Sequence, residues 1–201
     1  MLNLPKSTEV NKVLPKKAIY ASANLDSATK NTFDENIKKL TIVNEVLANN
    51  VNIEASNEVT GFYVLAVQLK KQDYDLKVVE KLFKMVNQRL VIVLQFEDVA
   101  QLAVHHNKLF TSNWQPVEEL QLKLQGLNFA QVWQNIILQI GNFQLEQGNT
   151  LEKQLAINDE RSKLQKQIDV LKKKAWAEKQ PKKKFDYAQE VKVLERQLEE
   201  L

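Results

Sequence analysis

Up to about residue 143 the hydrophobic positions change rhythm several times, and from residue 151 onward they settle into one. Asp26 is placed to cap a helix in which Phe33, Ile37, Leu40 and Leu47 recur at near-helical spacing, so a helix is expected to run to Asn49-Asn50. The stretches "VNIEA" and "EVTGFYVLAVQL" read as strands, the second alternating and rich in β-branched and aromatic residues. Asp73 opens a short amphipathic helix with Leu76, Val79, Leu82, Phe83 and Val86 on one face. The run "LVIVLQF", Leu90 to Phe96, is apolar on both sides, as a central strand must be. "QLAVHH" and "KLFTSN" follow as neighbouring strands, and the sheet is expected to end at Trp114-Gln115-Pro116, because proline offers no ladder donor. Asn128 then caps a helix that buries Phe129, Val132, Trp133, Ile136, Ile137 and Ile140 and stops at Gly141 or Asn142.

The last quarter has a different character. Ile157, Leu164, Ile168, Leu171 and Ala175 step by sevens, fours and threes, and after Pro181 the series Tyr187, Val191, Leu194, Leu198 and Leu201 does the same. Each is a heptad seam, too narrow to be the face of a globular helix. Two seams broken at Gln180-Pro181 predict an antiparallel helical hairpin whose first arm of ~27 residues is roughly 40 Å long. The fold class expected is therefore α+β: a mixed sheet of about four to five strands with packed helices, followed by a C-terminal antiparallel coiled-coil hairpin. The divisions are 1–25 as a basic extended lead-in, 26–143 as the α+β domain and 151–201 as the hairpin.

Composition changes this picture in two ways. The 201 residues include no cysteine, which excludes disulfides and thiolate metal sites. No apolar run reaches the ~20 residues of a membrane helix and no apolar leader follows the first lysine, so the expectation is a cytoplasmic protein without membrane contact. Charge is unevenly spread. The net charge is +3, yet residues 172 to 184 hold seven lysines against Glu178, a net of +6, which leaves −3 for everything else. Lys172, Lys173, Lys174, Lys179, Lys182, Lys183 and Lys184 thus gather at the turn of the predicted hairpin, with Trp176 among them and off the seam. Lysines in the last turn of the first arm offset its dipole, but those after Pro181 stand in a helix's first turn, where positive charge is unfavourable. Lys6, Lys12, Lys16 and Lys17 form a second basic piece, interleaved with Pro5 and Pro15, which predicts an extended segment. Both pieces are candidates for contact with a nucleic acid or an acidic partner; the other reading of the turn is a merely solvated one whose end Trp176 covers. The lead-in reads equally as a strap held by Leu4, Val13, Leu14 and Ile19.

Three stretches carry a family resemblance. The opening "LPKSTEVNKVLPKKAIY", the middle "TSNWQPVEELQLKLQGLNFAQVWQNIILQI" and the charged tail "LEKQLAINDERSKLQKQIDVLKKK" together resemble the bacterial domain-of-unknown-function family 4391 (DUF4391). The likeness covers nearly the whole chain, and the first two stretches are its specific part. The chain departs from the family at His105-His106-Asn107-Lys108, where the family strand ends in tyrosine-lysine. The resemblance implies no reaction. It implies company: genes for helicases and adenine-specific DNA methyltransferases in restriction-like or anti-phage defence loci.

Glycine-rich phosphate loops and a nucleophile elbow are absent from the sequence. Adjacent His105 and His106 on a strand face opposite ways and cannot chelate one metal together. One catalytic pattern remains, that of a restriction-type nuclease, in which Glu54 or Glu58 supplies a first acid and Gln68 with Lys70 the second element on a strand, around magnesium. Glutamine brings no charge to such a site. The expectation is accordingly a non-enzymatic accessory or adaptor subunit without cofactor or resident metal. It would bind a helicase or DNA methyltransferase of a restriction-modification or defence system and DNA as well, with the hairpin also able to pair copies of the chain. The magnesium nuclease is the alternative.

Overall fold

A computed structural model describes residues 2–23, 25–86 and 88–201. The chain forms two compact units, Met1–Phe143 and Gln144–Leu201.

The first unit is built on a mixed seven-stranded sheet. After a 3-10 turn at Lys6–Thr8, strand β1 (Glu9–Leu14) lies at one edge. Helices α1 (Lys16–Ser22) and α2 (Ser27–Asn36) lead to β2 (Ile37–Leu47), which runs antiparallel to both β1 and β3 (Gly61–Leu69). Helix α3 (Leu76–Met85) then crosses over to β4 (Leu90–Phe96), parallel to β3. A two-residue turn at Glu97-Asp98 returns the chain as β5 (Val99–His106), and β6 (Lys108–Thr111) and the short β7 (Gln115–Pro116) both pair with β5. Helix α4 (Phe129–Gly141) closes the unit.

Alternation decides which residues face which layer. Leu65, Val67, Leu69, Leu90, Ile92, Leu94 and Ala103 pack with Phe33 of α2 and with Val78, Val79 and Leu82 of α3 in one buried cluster. Their neighbours Phe62, Val64, Val91, Val93, Leu102 and Val104 are buried on the opposite face, the face of α4, where Phe62 meets the Trp133 ring at 5.8 Å. Strand β4, with Leu90 to Leu94 all buried, is central as its sequence requires. Helix α4 starts at Asn128, whose side chain accepts the N–H of Gln131, and ends at Asn142 in the left-handed conformation with φ 53°.

Several local expectations fail. The helix opened by Asp26 stops at Asn36, and residues 37–47 are a strand. Register shifts between Ile37 and Lys39 and between Ile42 and Asn44 explain the false signal, because an extra residue spaces Ile37 and Leu40 by three while keeping both on the α3 side. "VNIEA" forms no strand beyond one bridge of Glu54 to Asn128. The third helix is capped by Asp75 rather than Asp73. The lead-in is extended only over β1, and residues 16–22 are helical because Pro15 precedes the first turn with a φ already fixed. Val13 is exposed rather than packed as a strap, whereas Leu14 and Ile19 do pack on the core. The sheet does end at Gln115-Pro116 as expected, with these two residues forming a last short ladder on β5. With β1, β2 and β7 added, the sheet has more strands than the four to five expected.

The second unit is the helical hairpin, α5 (Leu151–Ala177) and α6 (Pro181–Glu199). Thr150 caps α5 by accepting the Lys153 N–H, and Pro181 occupies the first position of α6, where no hydrogen bond is lost. Leu164, Ile168 and Val191 are buried, and the other residues of both seams are half-buried, while the remaining faces are largely exposed. Buried Gln154 accepts from the Glu146 N–H and from Asn149, which ties the approach loop to the first turns of α5. No helix among the described residues is long and apolar enough to cross a membrane.

Candidate functional site

At the hairpin turn, three residues, Glu178 to Gln180, connect the arms. The Glu178 carboxylate accepts the backbone N–H groups of Lys179 at 2.8 Å and Gln180 at 2.9 Å, and so folds the connection onto itself. These bonds, the Gln180 N–H foremost, with help from the charge of Lys183, hold its carboxyl below the ordinary range. The one acid of the cluster is thereby used as a backbone latch. Lys173, Lys174, Lys179, Lys182, Lys183 and Lys184 are exposed, whereas Lys172 pairs with Glu195 at 2.7 Å.

Aromatic surface stands among these charges. Trp176 is 88% exposed and Phe185 62% exposed, so neither covers the end of the hairpin. Sequence reasoning singled out Trp176 but missed Phe185. The signal was present, because Phe185 lies two residues before the seam position Tyr187 and therefore off the buried stripe. An apolar ring in water is unfavourable, and two beside a cationic turn form a surface suited to stacking and phosphate contact.

The lead-in lysines divide. Lys6, Lys12 and Lys17 are exposed, but Lys16 is a structural residue. Its ammonium donates to Asp34 Oδ1 at 2.9 Å and to the Ile37 carbonyl, and Tyr20 donates its hydroxyl to the same Asp34 oxygen at 2.8 Å. Asp34 is held below its ordinary range chiefly by the Lys16 bond and then by Tyr20. Burial, followed by the bond to Asp34, pushes the Tyr20 hydroxyl upward.

The nuclease pattern is not brought together. Glu54 gives its carbonyl to the Phe129 N–H at the start of α4, and Glu58 precedes the first residue of β3. Gln68 and Lys70 stand at the other end of that strand, and Gly61 to Gln68 alone spans about 23 Å at ~3.3 Å per residue. Lys70 donates its backbone N–H to the Asn36 carbonyl, and its charge acts on Asp34. Among the described residues no group of three or more His, Asp or Glu side chains is placed to hold a metal ion. His105 reaches the Phe83 ring on the α3 side, and the next residue, His106, falls on the opposite face by alternation.

A family model described as a domain of unknown function, DUF4391, matches residues 2–198, through β1, the sheet and both arms of the hairpin. The chain belongs to the DUF4391 family. No curated protein and no solved structure matches it significantly. The match extends through the lysine-rich turn and Trp176, so the hairpin is part of the family domain.

Proposed function

We propose that this DUF4391 protein is a non-enzymatic accessory subunit of a bacterial DNA-processing system of the restriction-like or anti-phage type, docking a helicase or DNA methyltransferase and touching DNA through the hairpin turn. The observation that carries the reading is the pairing of exposed Trp176 and Phe185 with a lysine cluster whose only acid is engaged in a backbone latch. The separation of Glu54 and Glu58 from Gln68 and Lys70 removes the geometric support for the nuclease alternative.

The test is co-expression with the products of the neighbouring genes, a helicase or DNA methyltransferase being the partner expected, followed by affinity capture of the wild type and of a Trp176→Ala, Phe185→Ala variant. Association that weakens in the variant supports the reading. Absence of association with any neighbouring gene product, or association indifferent to both substitutions, overturns it.

A further inference from the structure

The first unit has a cleft of about 420 Å³ at the end of the sheet where β3 and β4 begin. The two strands are parallel and paired from Tyr63 opposite Leu90, so the segments that enter them, with Glu58, Thr60 and Gly61 on one and Gln88 and Arg89 on the other, lie side by side. Phe83 and His105 line it from the α3 side, with ring centroids 5.8 Å apart. Trp133 of α4 lines it from the other.

The cleft holds a guanidinium without an anionic partner among the described residues. The Arg89 guanidinium stands over the Trp133 ring at 5.4 Å, and its described hydrogen bond is a long one, 3.5 Å, to the Glu58 carbonyl. Among the described residues no carboxylate comes within ion-pair distance of it. The Trp133 indole Nε1–H is buried without an acceptor among the described residues, in a side chain that is itself only 5% exposed. A buried donor left unpaired costs stability, and a guanidinium presents a planar fork that carboxylates and phosphates satisfy with two parallel bonds. The exposed Glu58 carboxylate is the one acid of the lining.

We propose that this cleft binds a small oxyanion, a carboxylate or a phosphate group, which Arg89 grips beside the Trp133 ring. This site is independent of the hairpin turn and of the accessory role.

The experiment is a titration of the full-length chain with sodium phosphate and, separately, sodium acetate, followed by the indole and arginine N–H signals in nitrogen-correlated nuclear magnetic resonance. Sodium chloride at matched ionic strength is the control. The expected result is a saturating shift of the Trp133 indole signal, with a Kd on the order of 1 mM for a bare ion, from one or both anions and not from chloride. The tighter of the two curves identifies the source of the oxyanion. Arg89→Gln should weaken binding by at least about tenfold. Arg89→Lys keeps the charge and the stack on the ring but loses the fork, so it must also weaken binding, which protects the test if the glutamine variant folds poorly. No shift with either anion, an equal shift with chloride, or unchanged titration of Arg89→Lys overturns the proposal.

Discussion

Replacing Lys173, Lys174, Lys182, Lys183 and Lys184 with glutamine, while leaving Lys172 in its pair with Glu195, isolates the charge that the hairpin turn can offer to a phosphate backbone. Each lysine–phosphate contact with duplex DNA contributes ~0.9 to the slope of log affinity against log salt. Five lysines removed therefore set an upper bound of about 4.5 on the loss of slope. Over a fourfold rise in salt, from about 50 to about 200 mM, that corresponds to as much as a ~500-fold steeper fall for the wild type than for the variant. Lys172→Gln alone should change the slope less than any single one of the five, because its charge is already matched by Glu195 at 2.7 Å. The assay is fluorescence anisotropy on one labelled duplex across that range, repeated on a duplex of unrelated sequence. Phosphate contacts carry no base information, so both duplexes should give the same loss. Superimposable slopes for the wild type and the fivefold variant would refute the reasoning and leave the lysines as a solvated turn or a protein-docking surface.

Three further outcomes test the structure from other directions. Ile168→Ala, at a position 1% exposed in the seam, should destabilise the hairpin by about 2–5 kcal/mol in chemical unfolding followed by circular dichroism, whereas Trp176→Ala should lie within about 0.5 kcal/mol of wild type; equal effects would show that Trp176 is packed. Gly61→Ala should cost about 1–3 kcal/mol or more by the same measurement, since its Cβ would overlap the Val46 carbonyl oxygen and meet Leu47 Cδ2 at 2.5 Å. Asp34 has a depressed pKa in the folded chain, so its contribution is complete above the ordinary value of 3.8 and is lost as the pH falls through the lowered one. Asp34→Asn should therefore flatten the acid limb of stability against pH between about 2 and 5, and an unchanged limb would contradict the Lys16–Asp34–Tyr20 arrangement.

What the sequence revealed and concealed follows from how far each signal reaches along the chain. The hairpin was legible because a heptad seam is local, and Leu164, Ile168 and Val191 declare themselves without reference to anything else. Helix α4 was legible for the same reason, with Asn128 and Asn142 marking its ends. Strand β2 was not, because its register shifts are defined only against β3, and a bulge imitates helical spacing. Phe185 could have been found by asking which aromatic residues fall off the seam. The cleft could not, since Glu58, Phe83, Arg89, His105 and Trp133 meet only after a parallel crossover and the docking of α4, and no one spacing motif joins them.

The ambiguity of residues 37–47 has a consequence for the order in which the molecule assembles. Helix α2 is already capped at Asp26, and the apolar residues beyond Asn36 continue its stripe, so the segment carries a local preference for coil turning into helix until β3 arrives to claim it. During synthesis β1 emerges before β2, and β3 begins 14 residues after β2 ends. A helix continued past Asn36 is therefore a local competitor of β2, and the ladder with β3 is what decides between them. Such a conflict between local and global preference is a source of frustration in the folding landscape. The β2–β3 ladder resolves it, and Gly61, opposite Leu47 and packed against the last residues of β2, closes the end of that ladder nearest the connecting loop.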